Sequence, residues 1–81
     1  MQRKNNPTTP VRFDNMQFRN DVAKKRLLQL FINLDEAAKQ TGVSKATLSR
    51  IENLKLPDIE TFGKLCKWLG TDMNKYFVEA K

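Results

Sequence analysis

Histidine is absent from this 81-residue sequence, cysteine occurs once, and glycine and proline occur three times each. Without histidine or a second cysteine, the usual zinc ligands, the usual general base and an internal disulfide are all missing. The chain also has no glycine-rich phosphate loop and no paired carboxylates in an obvious cleft, so neither an enzyme nor a cofactor is predicted. The single Cys66 is typical of a reducing compartment.

Long apolar runs are missing as well. No stretch approaches the roughly 18 residues of a membrane span, and the first ten residues, "MQRKNNPTTP", lack the apolar core of a signal peptide. These features predict a soluble, cytoplasmic protein with no membrane partner. The length allows one domain with a modest core.

Positive charge is in excess, with 15 Lys and Arg against 9 Asp and Glu and a net charge of +6. Residues 1–26 hold seven basic and two acidic side chains, so the N-terminal third carries most of this excess. Such a balance is typical of nucleic-acid-binding domains, although ribosomal and other small basic proteins share it.

Residues 1–13 are polar, contain two prolines and show no apolar period, which predicts a flexible basic arm. Residues 14–81 show helical spacing and form the predicted domain. The first helix is expected from about Asn15 to Phe31 or Ile32. Its apolar face would contain Ala23, Leu27, Leu30 and Phe31, with Phe18 and Val22 beside them.

Capping residues divide the next segment into two short helices. Asn33 is a good N-cap for "LDEAAKQT", and Gly42 ends that helix because glycine tolerates positive φ. Ser44 caps a third helix, predicted from about Lys45 to Asn53. Two short helices joined through a glycine turn predict a helix-turn-helix motif over residues 34–53.

The last third of the chain contains two further helical patterns. Asp58 caps a fourth helix with the apolar stripe Ile59, Phe62, Leu65, Cys66 and Leu69, which Gly70 ends. Asp72 caps a short final helix, "MNKYF". Because no segment alternates as a strand does, the predicted fold class is all-α with five helices.

Within the motif, each position has a residue that suits its place. A small side chain, Ala38, stands where the two helices cross closely, and Val43, Leu48 and Ile51 face the core. The pattern Ala38-x3-Gly42-x5-Leu48-x2-Ile51 resembles the helix-turn-helix of the phage repressor and Cro family, also called the Xre type. The resemblance extends over about residues 18–77 and implies a lambda-repressor-like domain.

The resemblance implies that the third helix enters the major groove of DNA with its N-terminal end on the bases. It implies a structural ion pair between Glu52 and Arg26. The implied phosphate contacts are Ser44, Asn53 and Lys55, and the implied base readers are Lys45, Ala46, Thr47, Ser49 and Arg50.

Two positions depart from the family pattern. Phe31 stands where a glycine usually ends the first helix, and the apolar residues of that helix are displaced by one. Leu34 replaces the glutamine that typically bonds a phosphate at the start of the second helix, which leaves the backbone amides there for that contact.

The expected function is a sequence-specific, double-stranded DNA-binding transcriptional regulator, a repressor acting as a homodimer on a pseudo-palindromic operator. Met73 to Phe77 is the expected dimer contact. One alternative is an antitoxin or other protein-binding module with a toxin-like partner and secondary DNA binding. Another is an RNA-binding or purely electrostatic binder, which the small number of aromatic residues disfavours for single strands.

Overall fold

The computed structural model describes residues 10–80. Within that range four α-helices surround one core, and a short antiparallel sheet joins the two ends of the range. In chain order the elements are β1 (Val11–Phe13), α1 (Asn15–Lys24), a π-helical segment (Lys25–Gln29), α2 (Leu34–Thr41), α3 (Lys45–Glu52), α4 (Ile59–Leu69), a 3-10 turn (Met73–Tyr76) and β2 (Phe77–Glu79).

Each α-helix begins at a polar side chain that accepts a hydrogen bond from the amide three residues further on, at 2.8–3.2 Å. The N-caps predicted for α2, α3 and α4 are confirmed. Gly42 and Gly70 follow α2 and α4 with φ of 76° and 74°, as their glycine identity predicts. The four N-caps are Asp14, Asn33, Ser44 and Asp58.

The two strands were not predicted from the sequence. β1 pairs with β2 in an antiparallel register that places Phe13 opposite Phe77. The prediction of a flexible arm over residues 1–13 is therefore wrong for Val11–Phe13, while residues 1–9 lie outside the described residues. The predicted fifth helix is also wrong, because its residues form a single 3-10 turn that leads into β2.

Part of the core is an aromatic cluster held between the sheet, α1 and α4. The Phe18 ring lies 5.1 Å from Phe62 and 5.2 Å from Tyr76, centroid to centroid, and Phe13 lies 5.2 Å from Phe62. The Tyr76 hydroxyl donates to Asp21 at 2.7 Å. Burial, and then this hydrogen bond, raise the pKa of Tyr76, which keeps the phenol neutral. The hydrogen bond itself links the 3-10 turn to α1.

The apolar face of α1 differs from the prediction. Phe18 and Val22 are buried, whereas Leu27, Leu28 and Phe31 are 50%, 65% and 80% exposed. A π turn closes with a bond to the residue five back, as in Leu30 N to Lys25 O at 2.9 Å, and so takes one residue more than an α turn. This extra residue rotates the residues after Lys24 away from the core.

Two residues after the π-helical segment, a residue other than glycine adopts a left-handed conformation. Phe31 has φ of 54°, a conformation that costs an L-residue about 1–2 kcal/mol. We expect Phe31→Gly to raise the free energy of unfolding by about 0.5–1 kcal/mol, because it relieves the strain and removes an exposed ring that contributes little burial. The gain is smaller than the strain because glycine loses more chain entropy on folding. Chemical denaturation measures the change. Phe31→Ala, which removes the same ring but keeps Cβ, should give no stabilisation. An equal gain in both variants would show that the backbone at Phe31 is not strained.

Candidate nucleic-acid interface

The turn between α2 and α3 is closed by backbone and hydroxyl bonds. The Gly42 amide donates to Ala38 O at 2.9 Å, and the Thr41 hydroxyl donates to Ala37 O at 2.8 Å while it accepts from the Val43 amide at 3.1 Å. Ala38 packs at the edge of the core, and its neighbour Ala37 is the more deeply buried. The angle between the two helices is therefore set by local bonds as well as by packing.

The inner side of α3 anchors it to the core. Leu48 and Ile51 are each 1% exposed, and Val43 just before the helix is 4% exposed, as predicted. At 100° per residue, four of the five predicted base readers fall within an arc of about 140° on the opposite side. These are Lys45, Ala46, Ser49 and Arg50, of which only Ser49 is half-buried.

Thr47 lies at the border between the inner and outer sides of α3. Its hydroxyl accepts from Ser44 Oγ at 2.9 Å and from Arg50 Nη1 at 3.4 Å. Ser44 Oγ in turn accepts from the Thr47 amide at 3.2 Å. Three predicted site residues thus form one hydrogen-bonded chain along the helix, and it restrains the direction in which the Arg50 guanidinium points.

Lys45 begins α3 and faces a carboxylate of α2. Its Nζ lies 3.5 Å from Asp35 Oδ1, with the two side chains 62% and 67% exposed. An exposed pair of this kind is weak and exchanges readily with water or another anion. Lys45 is therefore oriented by Asp35 and remains free to leave it for a ligand.

The end of α3 is closed in a way the sequence did not indicate. Leu54 has φ of 68°, and the amides of Leu54 and Lys55 donate to Ile51 O and Arg50 O. This is a Schellman motif with leucine in the position where glycine is usual. Asn53, a predicted phosphate contact, uses its Nδ2 to donate to Ser49 O at 2.9 Å, while Lys55 is exposed beside it.

Side chains of α1 and of the π-helical segment hold this end of α3. Asn15 Nδ2 donates to Leu54 O at 2.7 Å, and Arg19 Nε donates to Glu52 O at 3.0 Å. Arg26 forms a two-bond pair with the Glu52 carboxylate at 2.7 and 2.8 Å. These hydrogen bonds raise the pKa of Arg26 against the opposing effect of burial. The Arg26–Glu52 pair implied by the family resemblance is therefore present.

The start of α2 offers less to an anion than predicted. Leu34 packs against the core, and the Asn33 side chain already accepts from the Glu36 amide at 2.9 Å. Asp35 and Glu36 add two carboxylates to the first turn. These negative charges disfavour an anion at this helix start.

Three residues that shape the site were missed in the sequence: Asn15, Arg19 and Asp35. Asn15, Arg19 and Arg26 are spaced by four and seven residues, which places them on one face of a helix. That polar stripe beside Phe18 and Val22 was a usable signal. Asp35 gave none, because its partner Lys45 lies across the turn and only the folded motif brings the two together.

The helices of residues 10–80 are all too short or too polar to span a lipid bilayer. In the same part of the chain, no three His, Cys, Asp or Glu side chains gather as a metal site.

Comparison with known proteins agrees with the geometry of this motif. A sequence model of the helix-turn-helix family matches residues 22–75, which is more than half of the chain and includes α2 and α3. No curated protein and no solved structure matches the chain. The chain therefore belongs to the phage repressor and Cro-like, Xre-type helix-turn-helix family, a family of DNA-binding regulators rather than of enzymes.

Proposed function

We propose that this DNA-binding regulator is a repressor that reads a specific double-stranded sequence as a homodimer on a pseudo-palindromic operator. The observation that carries the proposal is the outer arc of α3, which is polar and basic, while the helix itself is fixed by the core, by two α1 side chains and by Arg26 of the π-helical segment. A pre-organised helix loses little entropy on binding. Such a regulator acts where the DNA is, so a cytoplasmic location is part of the proposal.

Base reading is assigned to the outer arc of α3. Arg50 and Lys45 suit the O6 and N7 acceptors of guanine, and the Ala46 methyl suits contact with a thymine methyl. Ser49 and Thr47 have hydroxyls that bond either bases or flanking phosphates. Thr47 also positions Arg50, since its hydroxyl already accepts from that guanidinium.

Phosphate contacts are assigned to the two ends of α3. Ser44 lies at the N-terminal end, where the free amides and the helix dipole favour an anion. Asn53 and Lys55 lie at the C-terminal end, on a loop that Asn15 holds in place. Contacts at both ends would set the depth and direction of α3 in the major groove, which is the role of backbone contacts in DNA recognition.

In this proposal, the protein represses transcription only by occupying its site on the DNA. One α3 covers too few base pairs for high specificity, so two copies would read half-sites about one helical turn apart. A dimer bound there would exclude other proteins from the same DNA. No catalytic step is needed.

Arg50→Ala tests the base-reading assignment. On the preferred duplex, obtained by selection from a random pool, we expect a loss of about 1–3 kcal/mol in binding free energy. The loss on random duplexes should be far smaller, because a base contact is made only with the right base. Binding titrations at one fixed salt concentration measure both.

Lys67→Ala is the matched control, since it also removes one exposed positive charge but from α4. It should weaken both duplexes slightly and equally. If Arg50→Ala also weakens both duplexes equally, the base-reading role is wrong, and an equal loss larger than that of Lys67→Ala would assign Arg50 to phosphate.

A second candidate function is protein binding, with DNA binding secondary to it. It is favoured by exposed apolar side chains in and just after the π-helical segment. Leu27, Leu28 and Phe31 are at least half exposed there, beside the basic Lys24. A toxin-like chain that co-purifies with the wild type and is lost in Leu28→Glu would support this function. Unchanged co-purification would place the partner elsewhere.

A further inference from the structure

A groove of about 330 Å³ lies on the first helical segment, where α1 continues into the π-helical segment. Three of its lining side chains are apolar and three are polar or basic: Ala23, Leu27 and Leu28, with Arg19, Asn20 and Lys24. None of the residues assigned above to bases or phosphates lies in this lining. We propose that this outer groove binds an acidic, amphipathic helix of another protein, an inference that rests on the protein-binding function given above as the second candidate.

Apolar surface continues along the chain past the outer groove. Leu27 and Leu28 are 50% and 65% exposed, and Leu30 and Phe31, which follow them, are 38% and 80% exposed. Single exposed leucines are ordinary on a protein surface, whereas several large apolar side chains exposed together mark an interaction site. The occupant of the outer groove should therefore have an apolar face of its own.

The order of the lining residues indicates that the occupant is a helix. The residues form two rows in which positions recur every four residues, one through Arg19, Ala23 and Leu27 and the other through their chain neighbours. Two such rows on a helix are parallel ridges, and the groove between them accepts a ridge of a second helix. Ala23, in the middle of one row, is small enough to let that helix come close.

The backbone of this segment departs from an ordinary α-helix twice. Lys25–Gln29 is π-helical, and Phe31 has φ of 54°. Both departures are unfavourable by themselves, and such features are frequent where a segment has a binding role. The π turn also rotates Leu27 and Leu28 away from the core, so the irregularity that interrupts the α-helix is the one that places both leucines in the outer groove.

Positive charge predominates on the segment that carries the outer groove. Residues 15–32 contain four basic side chains and a single acidic one, Asp21. Asp21 lies outside the lining, where it accepts from the Tyr76 hydroxyl at 2.7 Å and pairs with Lys75 Nζ at 3.0 Å. The one carboxylate of this segment is therefore engaged elsewhere.

The two basic side chains of the lining keep their charge available to an occupant. Lys24 is exposed and has no ion pair within residues 10–80. Arg19 donates to two uncharged oxygens, Asn20 Oδ1 at 2.8 Å and Glu52 O at 3.0 Å, so its positive charge is not neutralised there. A helix with carboxylates beside its apolar face would complement both side chains.

The same charge disfavours the occupants that the chain itself offers. Two outer grooves brought together would place Arg19 and Lys24 against their own copies, and like charges in contact weaken an association. Residues 1–9 contain two basic side chains and no acidic one, so they do not supply carboxylates either. The occupant is therefore a helix of a different protein.

The test uses a synthetic, fluorescein-labelled peptide of about 18 residues, or roughly five helical turns, with leucines on one face and glutamates on the other. Fluorescence anisotropy measures its binding to the full chain. We expect the dissociation constant to be at least about tenfold lower than that of the same peptide with lysines in place of glutamates. Equal affinity for the two peptides, or tighter binding of the lysine peptide, would overturn the proposal.

Two matched pairs of variants locate the acidic peptide on the surface. Leu28→Glu should weaken its binding at least about tenfold, whereas Leu56→Glu, at a leucine 73% exposed outside the outer groove, should not. Lys24→Ala should weaken it about two- to fivefold, whereas Lys67→Ala on α4 should not. All four positions are exposed, so the fold should survive, and circular dichroism checks that it does. Loss of binding in Leu56→Glu, or none in Leu28→Glu, would overturn the proposal.

Co-purification separates failure of the outer groove from failure of the protein-binding function. A chain that co-purifies equally with wild type and Leu28→Glu, together with no binding of the acidic peptide, would overturn the outer groove and leave the protein-binding function in place. Peptide binding that follows both matched pairs, while no chain co-purifies, would instead count against that function. Wild type that binds vesicles of phosphatidylserine and phosphatidylcholine but not the acidic peptide would assign the surface to lipid and overturn the helix proposal.

Discussion

Arg26→Ala is expected to lower the free energy of unfolding by about 3 kcal/mol, a large share of the roughly 4–12 kcal/mol typical of a domain this size. The Arg26 and Glu52 side chains are only 13% and 15% exposed, and the guanidinium also donates to Ile32 O at 3.1 Å. Removal of Arg26 leaves a largely buried carboxylate without its partner. Urea denaturation followed by circular dichroism measures the loss.

Two further variants show whether the loss comes from burial of an unpaired charge. Lys45→Ala breaks the exposed pair with Asp35 and should cost less than about 1 kcal/mol. Arg26→Met combined with Glu52→Leu removes both charges at similar volume and should cost less than Arg26→Ala alone. A double variant at least as unstable as Arg26→Ala would show that the hydrogen bonds themselves, and not the unpaired carboxylate, dominate.

Phe13→Ala is expected to lower the free energy of unfolding by about 2–3 kcal/mol, because the ring contacts four other aromatic rings at centroid distances of 5.2–6.4 Å. The estimate is below that for a fully buried phenylalanine, since Phe13 is half-buried at the edge of the core. The same denaturation experiment gives the value, and the near-ultraviolet circular dichroism of the aromatic cluster should weaken with it.

Val11→Ala is the matched control on the same strand. Val11 is two residues before Phe13, on the same face of β1, but 62% exposed, so its truncation should cost less than about 0.5 kcal/mol. If Phe13→Ala costs no more than Val11→Ala, β1 does not hold the ring in the core and the strand pair adds little to the fold.

The helix-turn-helix motif was determined largely by local sequence signals. Asn33 and Ser44 satisfy amides within their own first turns, and Gly42 takes a left-handed φ that needs no distant partner. Leu48 and Ile51 then follow from helical spacing. Signals of this kind act within about four residues, so they can be recognised without the fold, and the bounds of α2 and α3 agree with them to within a residue.

The strand pair depended on the tertiary structure. Val11–Phe13 and Phe77–Glu79 are three residues each, too short to show an alternating pattern, and each becomes a strand only because the other end of the chain lies beside it. The face of α1 was also decided by packing. A π turn after Lys24 shifts every later residue around the axis, which a uniform helical period cannot anticipate.

The family resemblance and the sequence together indicated a DNA-binding motif, its core residues and the Arg26–Glu52 pair. The sequence by itself determined the bounds of α2, the start of α3 and the turn between them, because each is set by bonds between neighbours in the chain. The outward face of α3 followed from helical spacing. The tertiary structure alone decided which apolar residues stay exposed. Leu56, Ile59 and Phe77 are as apolar as the core residues but are exposed. Burial depends on what packs against a side chain, and only the assembled elements define that packing.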